Sequence, residues 1–311
     1  MSKTTCLGEG LLQRFHYGLA RLGVALVPPL SRRTVLALAR VLGAAGYRLL
    51  ARDRAIARAN LAMAYGEALS STARDAIVRE AFHSFTRTML DSIWFLHDFP
   101  NRMARWIRVE PSMTAWTESG PIIAVTAHLG NWELLGQTGV FLGAPPLSVA
   151  ARSRNETLDR FFASQRARHG MRIVWREGAL RVLCQELSRG GRVAMVLDQH
   201  IRPSEGAAWV RFFGRLAAMS PAAALLARRY AAPILPAFCV GEADGGYRAF
   251  AHPPIFPDGP ADLNQAIADA FEREIRACPG QWLWMYKRWK YVPSRASADE
   301  YPFYAHPSSE G

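Results

Sequence analysis

The chain has 311 residues, 50% hydrophobic and 21% charged, enough for a sizeable core and too apolar for a disordered or low-complexity polymer. Its net charge of +12 is carried almost wholly by arginine, with lysine only at Lys3, Lys287 and Lys290. That balance fits either a genome-wide composition bias or an anionic partner: nucleic acid, anionic lipid, a phosphorylated substrate or an acidic carrier protein.

The four cysteines, Cys6, Cys184, Cys239 and Cys278, form no CxxC pair and no Cys/His cluster of zinc spacing, so they read as small buried hydrophobes in a reducing compartment. No P-loop or dinucleotide-binding glycine pattern occurs, and nothing points to a cofactor or metal.

Residues 11–50 are apolar but interrupted by Arg14, Arg21, Arg33, Arg40 and Arg48. A membrane-spanning helix needs about 20 apolar residues with few charges. Seven-residue gaps, Arg14 to Arg21 and Arg33 to Arg40, return a helix to nearly the same face. The pattern predicts a broad apolar face with a cationic stripe. It suits a helix lying in the headgroup layer of a membrane or, alternatively, an ordinary buried hairpin. No clean cleavage site makes it a signal peptide. Residues 1–52 are therefore expected to form a helical membrane-associating segment, and 53–311 the main domain.

After Arg52, "RDRAIARANLAMAYG" and "SSTARDAIVREAFHSFTRTMLDSIWFL" have helical spacing, the second opening on Ser71 or Thr72 as an N-cap. From residue 121 the texture changes. "IIAVTAH", "LSVAAR", "RIVW", "RVAMVLD", "PILPAFCVG" and "YRAFAHP" read as strands, with helical patterns between them. Strand and helix in alternation predict an α/β fold with a mostly parallel sheet flanked by helices. Ligands bind such sheets where strands end and helices begin.

One such place is "AVTAHLGNWELLG". A five-residue step on one helix turns side chains about 140° apart, and on one strand it puts them on opposite faces, so His128 and Glu133 meet on neither. A strand, a tight turn at Leu129-Gly130 and a new helix bring them together. Gly130 or Asn131 would cap that helix and Glu133 would fall in its first turn, favoured by free N–H groups. From there Glu133 could accept a hydrogen bond from one imidazole nitrogen and leave the other as a general base. An H-x4-E pair alone is also compatible with a satisfied core histidine.

"AHLGNWELLG" resembles the H-x4-D/E motif of the bacterial lipid A biosynthesis acyltransferases, within the wider lysophospholipid acyltransferase-like superfamily. "RAIARANLAMAYG", "AARSRNETLD", "RARHG", "GGRVAMVLDQH", "VRFFGRLAAMSPA", "PILPAF" and "GQWLWMYKRWK" are similar to family segments in the same order, over about residues 50–292. The resemblance implies His128 as base, Glu133 as its catalytic partner, and Arg152, Asp198, Gln199 and Asn131 among the substrate-binding residues. Arg154 competes with Arg152 for the family's arginine, because Ser153-Arg154 stands where the family often has an apolar residue.

The implied reaction is direct transfer of a fatty acyl chain from an acyl carrier protein thioester to a hydroxyl of a lipid A precursor or related glycolipid. The expected place is the cytoplasmic face of the cell inner membrane, beside anionic lipids. No G-x-S-x-G elbow is present. Other readings are the same chemistry on phosphatidylinositol mannoside, ornithine lipid or a lysophospholipid, or a membrane-bound lipid hydrolase. Nucleic acid is not expected as a partner, since no recognition-helix signature appears. If Arg152 and Arg154 lie at the end of a strand next to the His128 strand, both would reach its pocket and a phosphorylated acceptor. Trp282, Trp284 and Trp289, mixed with Lys287, Arg288 and Lys290, suit either a membrane-interface belt or a core element with basic flanks.

Overall fold

The computed structural model describes residues 18, 21–152, 156–293 and 300–307. Arg14 and Arg154 lie outside them. Residues 21–26 are helical, and four helices follow: α1 (Arg32–Leu49), α2 (Ala51–Tyr65), α3 (Ser71–Trp94) and α4 (Phe99–Trp106). Ser31 caps α1, its hydroxyl accepting from Thr34 N; Ser70, one residue before the expected position, caps α3 by accepting from Ala73 N. The backbone of α1 lies close against α3: a Cβ on Gly43 would stand 2.8 Å from the Cα of His83.

The alternation then runs as the sequence predicts: β2 (Ile122–Thr126), α5 (Trp132–Phe141), β3 (Leu147–Ala150), α6 (Glu156–Ala167), β4 (Arg172–Trp175), α7 (Ala179–Ser188) and β5 (Arg192–Val196). After the hairpin β6 (Ala208–Phe212) and β7 (Arg215–Met219) come α8 (Ala222–Tyr230), β8 (Ile234–Gly241), β9 (Tyr247–Ala251) and α9 (Leu263–Ala277). With the short β1 (Ile107–Val109), seven strands form one sheet in the order β1-β9-β8-β2-β5-β3-β4. Five of them, β2, β3, β4, β5 and β8, run parallel, while β9 turns back antiparallel to β8 and carries β1 with it. Every residue of β2 and nearly all of β8 is buried, as central parallel strands covered on both faces must be.

Two features depart from the sequence reading, and a third decides between alternatives it left open. Strand β5 inserts between β2 and β3, so the strand that leads to Arg152 is not next to the one that leads to His128. The hairpin β6–β7 and the helix α9 were not foreseen. Finally, Trp282, Trp284 and Trp289 form a core element: they are 2%, 0% and 0% exposed, packed with Phe212 and Phe213, and Arg288 among them is buried with its guanidinium donating to Ala218 O at 2.7 Å. A membrane belt would need those indoles at the surface.

Among the described residues no single helix is long and apolar enough to cross a membrane; one bent pair, Arg32–Leu49 with Ala51–Ala68, meets the length and composition at a 90° break. Helix α1 buries Arg32, Val35, Ala39 and Gly43, and leaves Arg33, Arg40, Val41, Leu42, Arg48 and Leu49 outside.

Candidate active site

The site grows from the junction of β2 and β5. These strands pair in parallel with Thr126 opposite Val196. Continued two residues past both ends, that register places His128 across from Asp198. The His128 Nδ1 lies 2.7 Å from Asp198 Oδ1, while Asp198 Oδ2 accepts from the His128 backbone N–H at 3.0 Å and from the Trp282 indole N–H at 2.8 Å. Burying a carboxylate costs several kcal/mol, and hydrogen bonds to a charged group return about 1.5–3 kcal/mol each. Burial pushes the Asp198 carboxyl up, but the charge and hydrogen bonds of His128, with Trp282, outweigh it and hold Asp198 below the ordinary carboxylate value. Asp198 is thus an anion that accepts from Nδ1–H. In the neutral ring that fixes the proton on Nδ1 and leaves Nε2, 3.5 Å from the Gln199 amide nitrogen, as the acceptor.

The expected contact between His128 and Glu133 is therefore replaced. Glu133 does stand in the first turn of α5, but its carboxylate takes two parallel hydrogen bonds from Arg166 of α6, 2.8 Å from Nε and 2.6 Å from Nη2. A bidentate guanidinium pair is the stronger attraction for a carboxylate than a neutral imidazole. Arg166 lies inside the "RARHG" segment quoted for its resemblance, yet nothing in its spacing marks it as a partner of Glu133, 33 positions earlier.

The turn between them is built as the sequence implies. Gly130 has φ +59°, and a Cβ there would collide with the Cys239 carbonyl oxygen. Asn131 is the N-cap of α5, its side-chain oxygen accepting from Leu134 N at 3.0 Å. It is fully buried, so it shapes the turn and does not face a substrate as expected. Asp198, also expected among the substrate contacts, is 3% exposed and spent on His128. Gln199 does line the cavity, its amide nitrogen 3.5 Å from His128 Nε2. Arg152 stands exposed on the rim, its guanidinium over the Trp175 ring at 4.9 Å and its Nε 4.0 Å from Glu177.

His128, Glu133 and Arg166 open into a cavity of about 370 Å³ between α5 and the sheet. Its wall follows β2 from His128 down to Ala124, about 13 Å at a strand's rise per residue. The rest of the lining is mostly apolar, with Thr126 and Ser148 among it, and includes Trp116, its indole pinned to Ala144 O at 2.9 Å. Small residues make room: a Cβ on Gly136 would strike the tip of Met171, and one on Gly139 would sit 2.9 Å from the Trp116 indole nitrogen. Among the described residues no group of three or more His, Cys, Asp or Glu side chains is placed to hold a metal ion.

An imidazole anchored through Nδ1 on a buried carboxylate and a guanidinium held by Glu133 thus line one cavity, together with mostly apolar side chains. Residues 12–291 match the family model described as bacterial lipid A biosynthesis acyltransferase. The chain belongs to that family. It is similar to a lipid A biosynthesis palmitoleoyltransferase of Escherichia coli (strain K12), 28% identical over 263 residues that cover 81% of this chain and 83% of that protein. It is also similar to a phosphatidylinositol mannoside acyltransferase of Mycobacterium tuberculosis (strain CDC 1551 / Oshkosh), 30% identical over 175 residues, 55% of this chain and 54% of that one. Among solved structures, the 1-acyl-sn-glycerophosphate (LPA) acyltransferase PlsC from Thermotoga maritima aligns with a TM-score of 0.39 and 12% identity, covering 81% of this chain and 99% of that chain. The protein is accordingly an acyltransferase of the lipid A and glycolipid family, and its His128–Asp198 junction and apolar channel are this family member's candidate site.

Proposed function

We propose that the enzyme moves a fatty acyl chain from an acyl carrier protein thioester to a hydroxyl of a lipid A precursor or related glycolipid, on the cytoplasmic face of the inner membrane. The observation that carries this reading is His128: Nδ1 is locked on buried Asp198 while the ring opens into a channel shaped for an alkyl chain. In the proposed step the acceptor hydroxyl gives its proton to His128 Nε2 as its oxygen attacks the thioester carbonyl. Asp198 stabilises the imidazolium that forms. The Arg166 guanidinium, held by Glu133, faces the negative charge that grows on the carbonyl oxygen. Collapse of the tetrahedral intermediate expels the thiolate, which takes the proton back from His128. Glu133 thus acts through Arg166.

The exposed face of α1, with Leu22 and Leu26 before it, offers Val41, Leu42 and Leu49 among Arg33, Arg40 and Arg48. Such a face supports binding to a surface of anionic lipids, apolar side chains inward and guanidinium groups at the phosphates. Arg152 can exchange its long contact with Glu177 for an acceptor phosphate. Arg152→Ala is expected to raise the acceptor KM about 10- to 100-fold, the value of one charge-assisted contact, and to leave the donor KM unchanged. Steady-state kinetics with each substrate varied in turn would show it; a rise in the donor KM alone would move the arginine to the carrier protein.

The channel sets a second expectation. Gly136→Leu fills it beside Met171, so the longest accepted acyl chains should lose kcat/KM by about 10- to 200-fold, the range for a misfit of a methylene or so, with shorter chains spared. Equal loss for all chain lengths would mean that the alkyl chain lies elsewhere. The function itself is tested with purified enzyme, an acyl carrier protein thioester and a glycolipid acceptor. The reading requires one thiol released per acyl group gained by the acceptor. Thiol release at the same rate without acceptor would make the enzyme a hydrolase.

A further inference from the structure

The turn that follows His128 is tied to α1 by a buried polar chain. Asn131 Nδ2 donates to the Tyr247 hydroxyl at 3.2 Å, and that hydroxyl donates to Asp91 Oδ2. Asp91, on α3, is paired by Arg32 of α1: Nη2 reaches Oδ2 at 3.0 Å and Nη1 reaches Oδ1. Arg87 Nε lies 3.5 Å from the same carboxylate. The two guanidinium groups also hold the β8–β9 turn, Arg32 donating to Gly245 O at 2.9 and 2.7 Å and Arg87 to Gly245 O and Gly246 O at 2.9 and 2.7 Å. One residue before Asn131, the Thr88 hydroxyl donates to Gly130 O at 2.8 Å, and Gly130 N–H donates to Gln281 O at 2.9 Å.

Asp91 and Asn131 are wholly buried, Tyr247 is 2% and Arg32 7% exposed. A buried ion pair is weak support for stability, because an apolar packing of the same volume often does as well. What the chain supplies is direction. Burial, and next the charge of Asp91, push the Tyr247 phenol far above its ordinary value, so it remains a donor to Asp91 and its oxygen can only accept from Asn131. Asn131 must then turn its NH2 to Tyr247 and its carbonyl oxygen to Leu134 N. The start of α5, and with it the approach of His128 to Asp198, is set by groups that never reach the cavity.

We propose that Tyr247 and Asp91 are positioning residues for acyl transfer, holding the Gly130–Asn131 turn so that His128 meets Asp198, with Arg32 tying that turn to α1. The inference rests on the reading of His128 as the base. Helix α1 is then needed for turnover itself, beyond any role in membrane attachment.

The test is Tyr247→Phe in the full-length enzyme, which removes only the hydroxyl, assayed in detergent beside His128→Ala. Tyr247→Phe should lower kcat about 10-fold or more, as expected of sub-ångström misplacement of a base, with both KM values unchanged. A second pair guards against a folding artefact: Arg32→Lys, which keeps a cation beside Asp91, should retain more kcat per folded enzyme than Arg32→Met. If Tyr247→Phe lowers the melting temperature but keeps full kcat, and the Arg32 variants turn over alike, the chain is structural and the inference is overturned. If His128→Ala itself retains turnover, the reading of the base fails and the positioning role falls with it. An inactive His128→Ala beside a fully active Tyr247→Phe would sink the positioning role alone.

Discussion

His128→Ala is expected to lower kcat for acyl transfer about 10²- to 10⁴-fold, the usual contribution of a positioned general base. The side chain is only partly buried and its ring stands edge-on to Trp132 at 4.9 Å, so truncation leaves the sheet and the channel in place. Binding of the acyl donor and acceptor should survive, because the deeper apolar lining and Arg152 on the rim do not depend on the imidazole. Burst and steady-state measurements with carrier-protein thioester would separate the two effects. A variant that turns over at near-normal rate would remove His128 from the mechanism.

Asp198→Asn should cost a similar factor, about 10²- to 10⁴-fold in kcat, for a reason visible in the hydrogen bonds. Asp198 Oδ2 accepts from two N–H donors, those of His128 and Trp282, and Oδ1 faces Nδ1. In the amide, the oxygen is wanted at the Oδ2 position, which places the NH2 against Nδ1. Nδ1 must then accept, the proton moves to Nε2, and the nitrogen aimed at the substrate is no longer a base. The substitution changes shape little, so the folded protein should be recovered. Full activity in this variant would show that another group sets the tautomer.

Much of the scaffold was legible because its signals are local. The strand runs and their intervening helices, the Gly130 turn and the Asn131 cap follow from short-range rules of periodicity, left-handed backbone and capping. What was not legible depends on which strands pair. The place of β5 between β2 and β3 is what brings Asp198 opposite His128, 70 positions away, and it is also what separates Arg152 from that junction. Glu133 illustrates the same limit. Its place in the first turn of α5 was readable, but its partner Arg166 comes from a different helix across the cavity. The tryptophans near residue 285 stayed open between an interfacial belt and a core element, because composition does not say that Phe212 and Phe213, from the β6–β7 hairpin, pack over them.

The division of labour between the two carboxylates is where the account is most exposed. Single-turnover rates of acyl transfer for Asp198→Asn and Glu133→Gln, measured with saturating donor and acceptor, compare them directly. Asp198→Asn should fall nearly as far as His128→Ala. Glu133→Gln keeps a measurable fraction of the rate, because His128 is still held and only the grip on Arg166 is weakened. A rate for Asp198→Asn close to that of the unaltered enzyme, beside a Glu133→Gln variant as inactive as His128→Ala, would contradict it and make Glu133 the partner of the base.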